Sequence, residues 1–297
     1  MVARQSRGER AIVSRIISFS LYGSAPLYCE GAVRNLELAR AVYPGWRCRF
    51  YVDETAPPRY LDALAARGAE ILRVDNRVGP NYCRFCRFLP AADPAIERFI
   101  VRDADSRLNV RERAAVEAWI QSGKSFHIMR DHPGHGPRVM GGMWGGIGGR
   151  LPQMAELIDA WGRFQRGAKD SPFMTEIIFP RMANDYICHD SLGHHDDGLP
   201  FPAHAPLLGT SYVGEVVHVD KPLVDALLKL NKPLHPSSPA EADAAEAQTS
   251  ALLKLMLADE DRERQRRQTP SHPLGRIWAQ RRRLPAGFSI RQRLKGN

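Results

Sequence analysis

Short apolar runs alternating with segments of helical period constrain this chain more than any other feature. Residues 11–21, 48–52, 69–74, 98–101 and 126–129 are strand-length and rich in β-branched and aromatic side chains. Between them, Tyr28, Ala32, Leu36, Ala39 and Tyr43 recur at helical spacing and stop at Pro44-Gly45. Tyr60-Leu61, Ala63-Leu64 then precede Gly68, and Ala114, Ala115, Ala118 and Trp119 precede Gly123. Repeated β-α units bury each strand between helices, which predicts an α/β fold: a mainly parallel, doubly wound, Rossmann-like sheet flanked by helices. Residues 76–97 read as irregular, although the Arg-Phe repeat around Cys83 and Cys86 suits a half-buried helix. Beyond residue 150 the pattern predicts helices at 151–164 and 173–182, the second interrupted by Pro180, strand-like pieces at 186–188 and 213–219, and short helices near 221–231 and 241–258.

Charge divides the chain further. Residues 261–297 carry ten Arg and one Lys against one Asp and one Glu, which accounts for the whole net charge of +9. A basic-surface argument therefore belongs to the tail and not to the body. We divide the chain into a domain over 11–232 and a basic, partly helical or disordered extension over 233–297. Five scattered cysteines do not make a disulfide framework and point to a reducing cytoplasm. No apolar run is long enough to span a bilayer. Arg15 interrupts the apolar stretch near the start, where no small-x-small cleavage pattern follows, so a secretory signal is not expected.

The densest chemistry follows the run Phe99-Ile100-Val101. There Arg102-Asp103-Ala104-Asp105 delivers two carboxylates at i and i+2, on one face of an extended segment at a strand end. Ligands of open α/β sheets bind at the carboxyl ends of strands. Two carboxylates with substrate phosphates suit Mg²⁺ or Mn²⁺. A turn in which either Asp caps the next helix is the structural alternative.

Three further clusters stand out. Gly141-Gly142-Met143-Trp144-Gly145-Gly146 lacks both the P-loop ending and the dinucleotide spacing. Its glycines suit either close approach to a flat ligand at Gly142 and Trp144 or a hairpin with Trp144 buried. His132, His135, His189, His194 and His195 lie among Asp131, Asp190, Asp196 and Asp197, and could ligate a metal. Asp170, Glu176 and Asp190 are candidate general bases.

The segments Ile17-Ser18-Phe19-Ser20-Leu21-Tyr22-Gly23, Tyr43-Pro44-Gly45-Trp46, residues 102–107, His127 to Pro133, residues 141–145 and Cys188-His189-Asp190-Ser191 together resemble bacterial nucleotide-sugar glycosyltransferases of the GT-A fold. The resemblance covers roughly residues 14–219. It implies that Asp103 and Asp105 bind Mn²⁺ or Mg²⁺ on a donor diphosphate, with His189 approaching the same metal. It also implies that Ser20, Leu21 and Tyr22 contact the nucleotide. One departure is Thr175-Glu176, where such relatives tend to carry Asp-Gln.

Sugar transfer passes through an oxocarbenium-like transition state while negative charge gathers on the departing diphosphate. Cations stabilise that charge. Arg84, Arg87 and Arg102 are candidates on the nucleotide side, and Arg130 on the substrate side. The expected partners are a nucleotide-diphosphate sugar and a glycan or lipid-linked acceptor. The tail, where Ile277, Trp278, Leu284, Phe288 and Ile290 lie among the arginines, suits peripheral contact with anionic lipid at the inner face of the cell membrane. Specific nucleic-acid recognition is not expected. The alternatives are a metal-dependent hydrolase built on 131–197 and a non-enzymatic nucleic-acid binder acting through the tail.

Overall fold

A computed structural model describes residues 14–75, 82–164, 170–203 and 212–217. The basic tail and the helices expected at 221–231 and 241–258 lie outside the described residues. The chain runs β1 (Ser14–Leu21), α1 (Pro26–Val42), β2 (Trp46–Val52), α2 (Pro58–Ala66), β3 (Glu70–Arg73), α3 (Tyr82–Cys86), β4 (Ile96–Val101), α4 (Val110–Ser122), β5 (Phe126–Arg130), β6 (Trp144–Gly146), α5 (Met154–Phe164), α6 (Asp170–Phe173), β7 (Tyr186–Asp190) and β8 (Gly198–Leu199). α6 continues through a π turn over Met174–Ile178 and a 3-10 turn over Phe179–Met182.

These elements form one mixed sheet in the order β3-β2-β1-β4-β6-β5-β7-β8. All its pairings are parallel except those of β6, which runs antiparallel to both β4 and β5. The α/β expectation of a mainly parallel sheet is met. The glycine-rich run, however, is neither a hairpin tip nor a ligand cradle. Its centre is β6, an interior strand, with Trp144 paired to Val101 and to Ile128.

Glycine is needed there for packing. A Cβ on Gly146 would lie 2.9–3.0 Å from the Phe99 and Phe126 rings. Trp144 itself is fully buried against Phe88 and Phe99, so its expected substrate contact is corrected to a core role. The helix over 82–86 replaces much of the irregularity expected at 76–97. Segment 213–217 is a loop, whereas the sheet gains the short edge strand β8.

Helix boundaries follow local chemistry. Pro26 opens α1 and Pro58 opens α2, where a missing N–H costs nothing. Asn109 caps α4 by accepting from Glu112 N at 2.9 Å, and Gly123 ends it at φ 72°. The cysteines are all free and buried. No helix among the described residues is long and apolar enough to cross a membrane.

Trp144→Ala is expected to lower global stability by ~3–5 kcal/mol, the usual cost of emptying a large aromatic site. Denaturant unfolding measures this, and a variant as stable as the parent would return Trp144 to the ligand side.

Candidate functional site

Parallel strands β1, β4, β5 and β7 all end on the same edge of the sheet, and antiparallel β6 begins there. The loops after β1 and β4 therefore meet the residues preceding β6 at one cleft. Two serines on one face of β1 set its far wall. Ser18 donates to Arg87 O at 2.7 Å and Ser20 donates to Cys83 O at 2.5 Å, tying the chain from α3 onward across the strand. Ser20 is thus engaged with backbone, and the Leu21 side chain is buried in the core. Neither side chain has the exposure that the expected nucleotide contact needs. Tyr22 does lie in the cleft, where Arg84 Nε donates to its hydroxyl at 2.9 Å.

The centre of the cleft is an ion cluster. Arg87, buried just after α3, donates one guanidinium nitrogen to Asp103 and another to Asp170. The two carboxylates raise the guanidinium's pKa against the burial that would lower it. The backbone of the glycine run closes against the same groups. Any Cβ on Gly142 would overlap the Asp103 carboxylate, and any on Gly141 would overlap that of Asp170. Gly142 therefore does belong to the site, as the residue that lets Asp103 sit where it does.

Asp105, next along, is pushed up to about 6 by burial and then by the Asp103 charge. Tyr28, 42% exposed on α1, has its phenol raised by burial and by Asp105, Tyr22 and Asp103. Tyr22 itself is tied to Arg84, and Tyr28 stands in the first turn of α1.

Other expected site residues are committed elsewhere. Arg102 is buried, bonded to Glu112 at 3.2 Å and to Val101 O at 2.7 Å, with Tyr43 donating to the same Glu112 oxygen at 2.9 Å. It braces β4 from inside and does not face a ligand. Arg130 is buried between Asp190 and Asp197, at 2.9 and 2.7 Å, and donates to Arg138 O at 2.7 Å.

Asp190 also accepts from the backbone of Leu192, Gly193 and His194 and from the His194 ring, all at 2.9–3.0 Å. Its carboxyl pKa is held far below the ordinary range by these bonds against the effect of burial, so it is a poor proton acceptor. Glu176 is exposed on the π turn and forms no hydrogen bond or ion pair with the Arg87 cluster. Of the three expected bases only Asp170 reaches the cleft.

His189 is corrected as well. Its Nδ1 is 2.9 Å from His127 Nε2, and its ring lies against Phe201. The other histidines are also engaged within the protein. His135 Nδ1 accepts from Asp131 N at 3.0 Å, His132 stacks on Tyr212, and His195 Nε2 lies 2.9 Å from Gly136 O. Among the described residues, no group of three or more His, Cys, Asp or Glu is arranged to hold a metal, which the hydrolase alternative requires.

The Asp103–Asp105 pair is a different kind of donor set. It offers hard oxygens, one carboxylate 44% exposed and the other under the unfavourable charge of its neighbour. Mg²⁺ or Mn²⁺ completed by substrate phosphates fits that chemistry.

Residues that sequence reasoning missed are the tethers: Ser18, Gly141 and the role of Arg87 as a bridge. Only the i, i+2 spacing of Ser18 and Ser20 in an otherwise apolar strand gave any signal.

No protein-family profile and no curated protein sequence matches the chain. Among solved structures it is similar to the crystal structure of a glycosyltransferase involved in the glycosylation of the major capsid of PBCV-1, with 15% identity and a TM-score of 0.37 over 60% of this chain and 82% of that one. So distant a likeness carries no functional argument.

Two outcomes follow from the site's electrostatics. Arg87→Gln leaves Asp103 and Asp170 facing each other without a cation. It is expected to cost ~3 kcal/mol, the low end for a broken buried pair because Asp103 is partly solvated, and Asp170→Asn should restore part of the loss. Unfolding of the two variants tests this, and a neutral Arg87→Gln would dismiss the bridge.

The second outcome concerns pH. His189 and His135 are lowered to about 4, and His127 well below 6.5, in each case chiefly by burial. Between pH 6.5 and 4 the unfolded chain takes up these protons and the folded chain does not, so stability falls as pH falls through that window. Asp105, raised to about 6, and Glu112, also raised by burial, act in the opposite sense over part of the range, while Asp190, Asp197, Glu97 and Asp185, all lowered, act in the same sense as the histidines. Denaturation midpoints at pH 7 and pH 4.5 decide it, with a higher midpoint at pH 4.5 counting against the buried neutral histidines.

Proposed function

We propose that this chain is a GT-A-type glycosyltransferase that moves a sugar from a nucleotide-diphosphate donor to a glycan or lipid-linked acceptor with the help of Mn²⁺ or Mg²⁺. The observation that carries the reading is the cleft at the carboxyl edge of the sheet, where Asp103, bridged by Arg87 to Asp170, stands two residues before Asp105, and the loop after β1 brings Tyr22 bonded to Arg84. The sequence resemblance over residues 14–219 supports the same reading. Tail contact with a membrane remains part of the proposal, on charge and apolar content alone.

Each group has a chemical task in this reading. Tyr22 and Tyr28 offer ring faces to a nucleobase or ribose. Arg84, anchored at the Tyr22 hydroxyl, directs positive charge at phosphate oxygens. Asp103 and Asp105 would hold the cation, which supplies Lewis-acid stabilisation of the leaving diphosphate. Arg87 keeps Asp103 in place. Asp170, held by the Arg87 guanidinium, accepts hydrogen bonds from sugar hydroxyls. Gly141 and Gly142 leave room for the Asp170 and Asp103 carboxylates against the chain entering β6.

A thermal-shift screen of nucleotide sugars with Mn²⁺ tests the reading, since a ligand of the folded state raises the melting temperature. Asp103→Asn and Asp105→Asn should each weaken Mn²⁺ binding strongly, leaving a residual affinity that titration can still measure, and cut transfer at least about a hundredfold, losing several kcal/mol of barrier stabilisation. Asn keeps the side-chain shape, and in Asp103→Asn the buried Arg87 keeps Asp170 as its charged partner, so the fold should survive with some loss of stability. Undiminished Mn²⁺-dependent nucleotide binding in both variants would falsify the metal assignment.

A further inference from the structure

The loop from Asp103 to α4 places three successive carbonyls where protein donors meet every one of them. Asn35 Nδ2, fully buried on α1, donates to Ala104 O at 3.3 Å and to Ser106 O at 2.8 Å. Arg107 Nη1 donates to the same two oxygens at 3.3 and 2.7 Å. Val217 N donates to the carbonyl between them, Asp105 O, at 2.8 Å. Asn35 Oδ1 in turn accepts from Leu108 N at 3.1 Å, so one amide side chain grips three residues of the loop. Two acceptors on one side and a donor on the other leave its amide a single satisfactory orientation.

One turn earlier on the same helix, Gly31 faces the same carbonyl. Any Cβ there would overlap Ala104 O and lie 3.0 Å from Arg107 Nη1. Helix α1 is therefore seated directly on the Asp-x-Asp loop, and the seat has no room for a larger residue. The Asp103 carboxylate is held from the opposite wall by Arg87, while its backbone carbonyl closes the turn by accepting from Ser106 N at 3.3 Å and Ser106 Oγ at 2.9 Å.

We propose that Asn35, with Gly31, is the positioning residue for Asp105, so that the two carboxylates of the pair are placed by different side chains: Asp103 chiefly by Arg87, and Asp105 by α1. The proposal rests on the metal-dependent reading above. It makes α1 the element through which the nucleotide side of the cleft and the cation site share one frame, because Tyr28 lies on the same helix. Loss of such a supporting bond typically costs ten- to a hundredfold in metal affinity.

The test compares Asn35→Ala, Asn35→Asp and Gly31→Ala by Mn²⁺ titration of the full chain, followed by electron paramagnetic resonance, and by hydrogen exchange over residues 102–109. Asn35→Ala and Gly31→Ala are expected to weaken Mn²⁺ binding about tenfold or more. Asn35→Asp keeps the acceptor for Leu108 but sets a carboxylate against two carbonyls, and should weaken binding further.

A double-mutant cycle separates positioning from general damage. The effect of Asn35→Ala should vanish on an Asp105→Asn background and persist on an Asp103→Asn background. Faster exchange should be confined to 104–108, with 82–88 unchanged. Should Asn35→Ala not fold, Gly31→Ala carries the same comparison with Asn35 intact. Unchanged Mn²⁺ affinity despite a loosened loop, or equal effects on both Asp backgrounds, overturns the inference. A parent chain that takes up no Mn²⁺ sinks the metal reading instead. Exchange then decides the remainder: faster exchange at 104–108 supports Asn35's hold on the loop, and unchanged exchange ends it.

Discussion

Arg87 lies between two carboxylates that come from opposite sides of the cleft, Asp103 at the end of β4 and Asp170 at the start of α6. A guanidinium so deeply buried is tolerable only because two carboxylates lie against it, and each partner in turn depends on it. The rest of the cleft is arranged around that cluster. Ser18 fixes the Arg87 backbone to β1, and Gly141 and Gly142 give up their side chains so that the chain entering β6 can lie against both carboxylates. The antiparallel direction of β6 is part of the same solution, since it brings the start of that strand to the edge where its parallel neighbours end.

Away from the cleft, the same residue types perform structural work. Arg102 with Glu112, Arg130 with Asp190 and Asp197, and Arg111 with Asp131 form separate buried clamps. Asp131 also accepts from Val213 N at 2.9 Å, which ties the 212–217 segment to the end of β5. That segment reaches Asp105 through Val217, so the Arg111–Asp131 clamp and the Asp103–Asp105 loop are joined by the five residues 213–217. A charged side chain in this protein is therefore no guide to function by type alone. What distinguishes Asp103, Asp105 and Arg84 is that their partners leave them at the cleft.

The histidines make the same point. His127 and His189 share one hydrogen bond inside the protein, flanked by Trp119 and Phe201, and burial holds both neutral. Sequence proximity to Asp190 and Asp131 suggested ligands. Strand alternation instead directs His189 to the face that packs against Phe201, while Asp190, one residue on, faces Arg130.

The sequence by itself determined the β-α order, the strand that ends in Asp103, the helix stops at Pro44-Gly45, Gly68 and Gly123, and the concentration of charge in the tail. These are local matters, set by hydrophobic period, backbone preference and side-chain type within a few residues. Tertiary structure alone decided that the glycine run is an interior strand and that Trp144 is core. It alone spent Arg102, Arg130, Asp190 and His189 on clamps and drew Arg87, Asp170, Gly142 and Asn35 to the Asp pair. Those outcomes depend on which groups meet across 10 to 83 positions of chain, as Arg102 meets Glu112 and Arg87 meets Asp170. A buried charge is stable only beside a partner that folding brings to it, and no short-range pattern records where that partner lies.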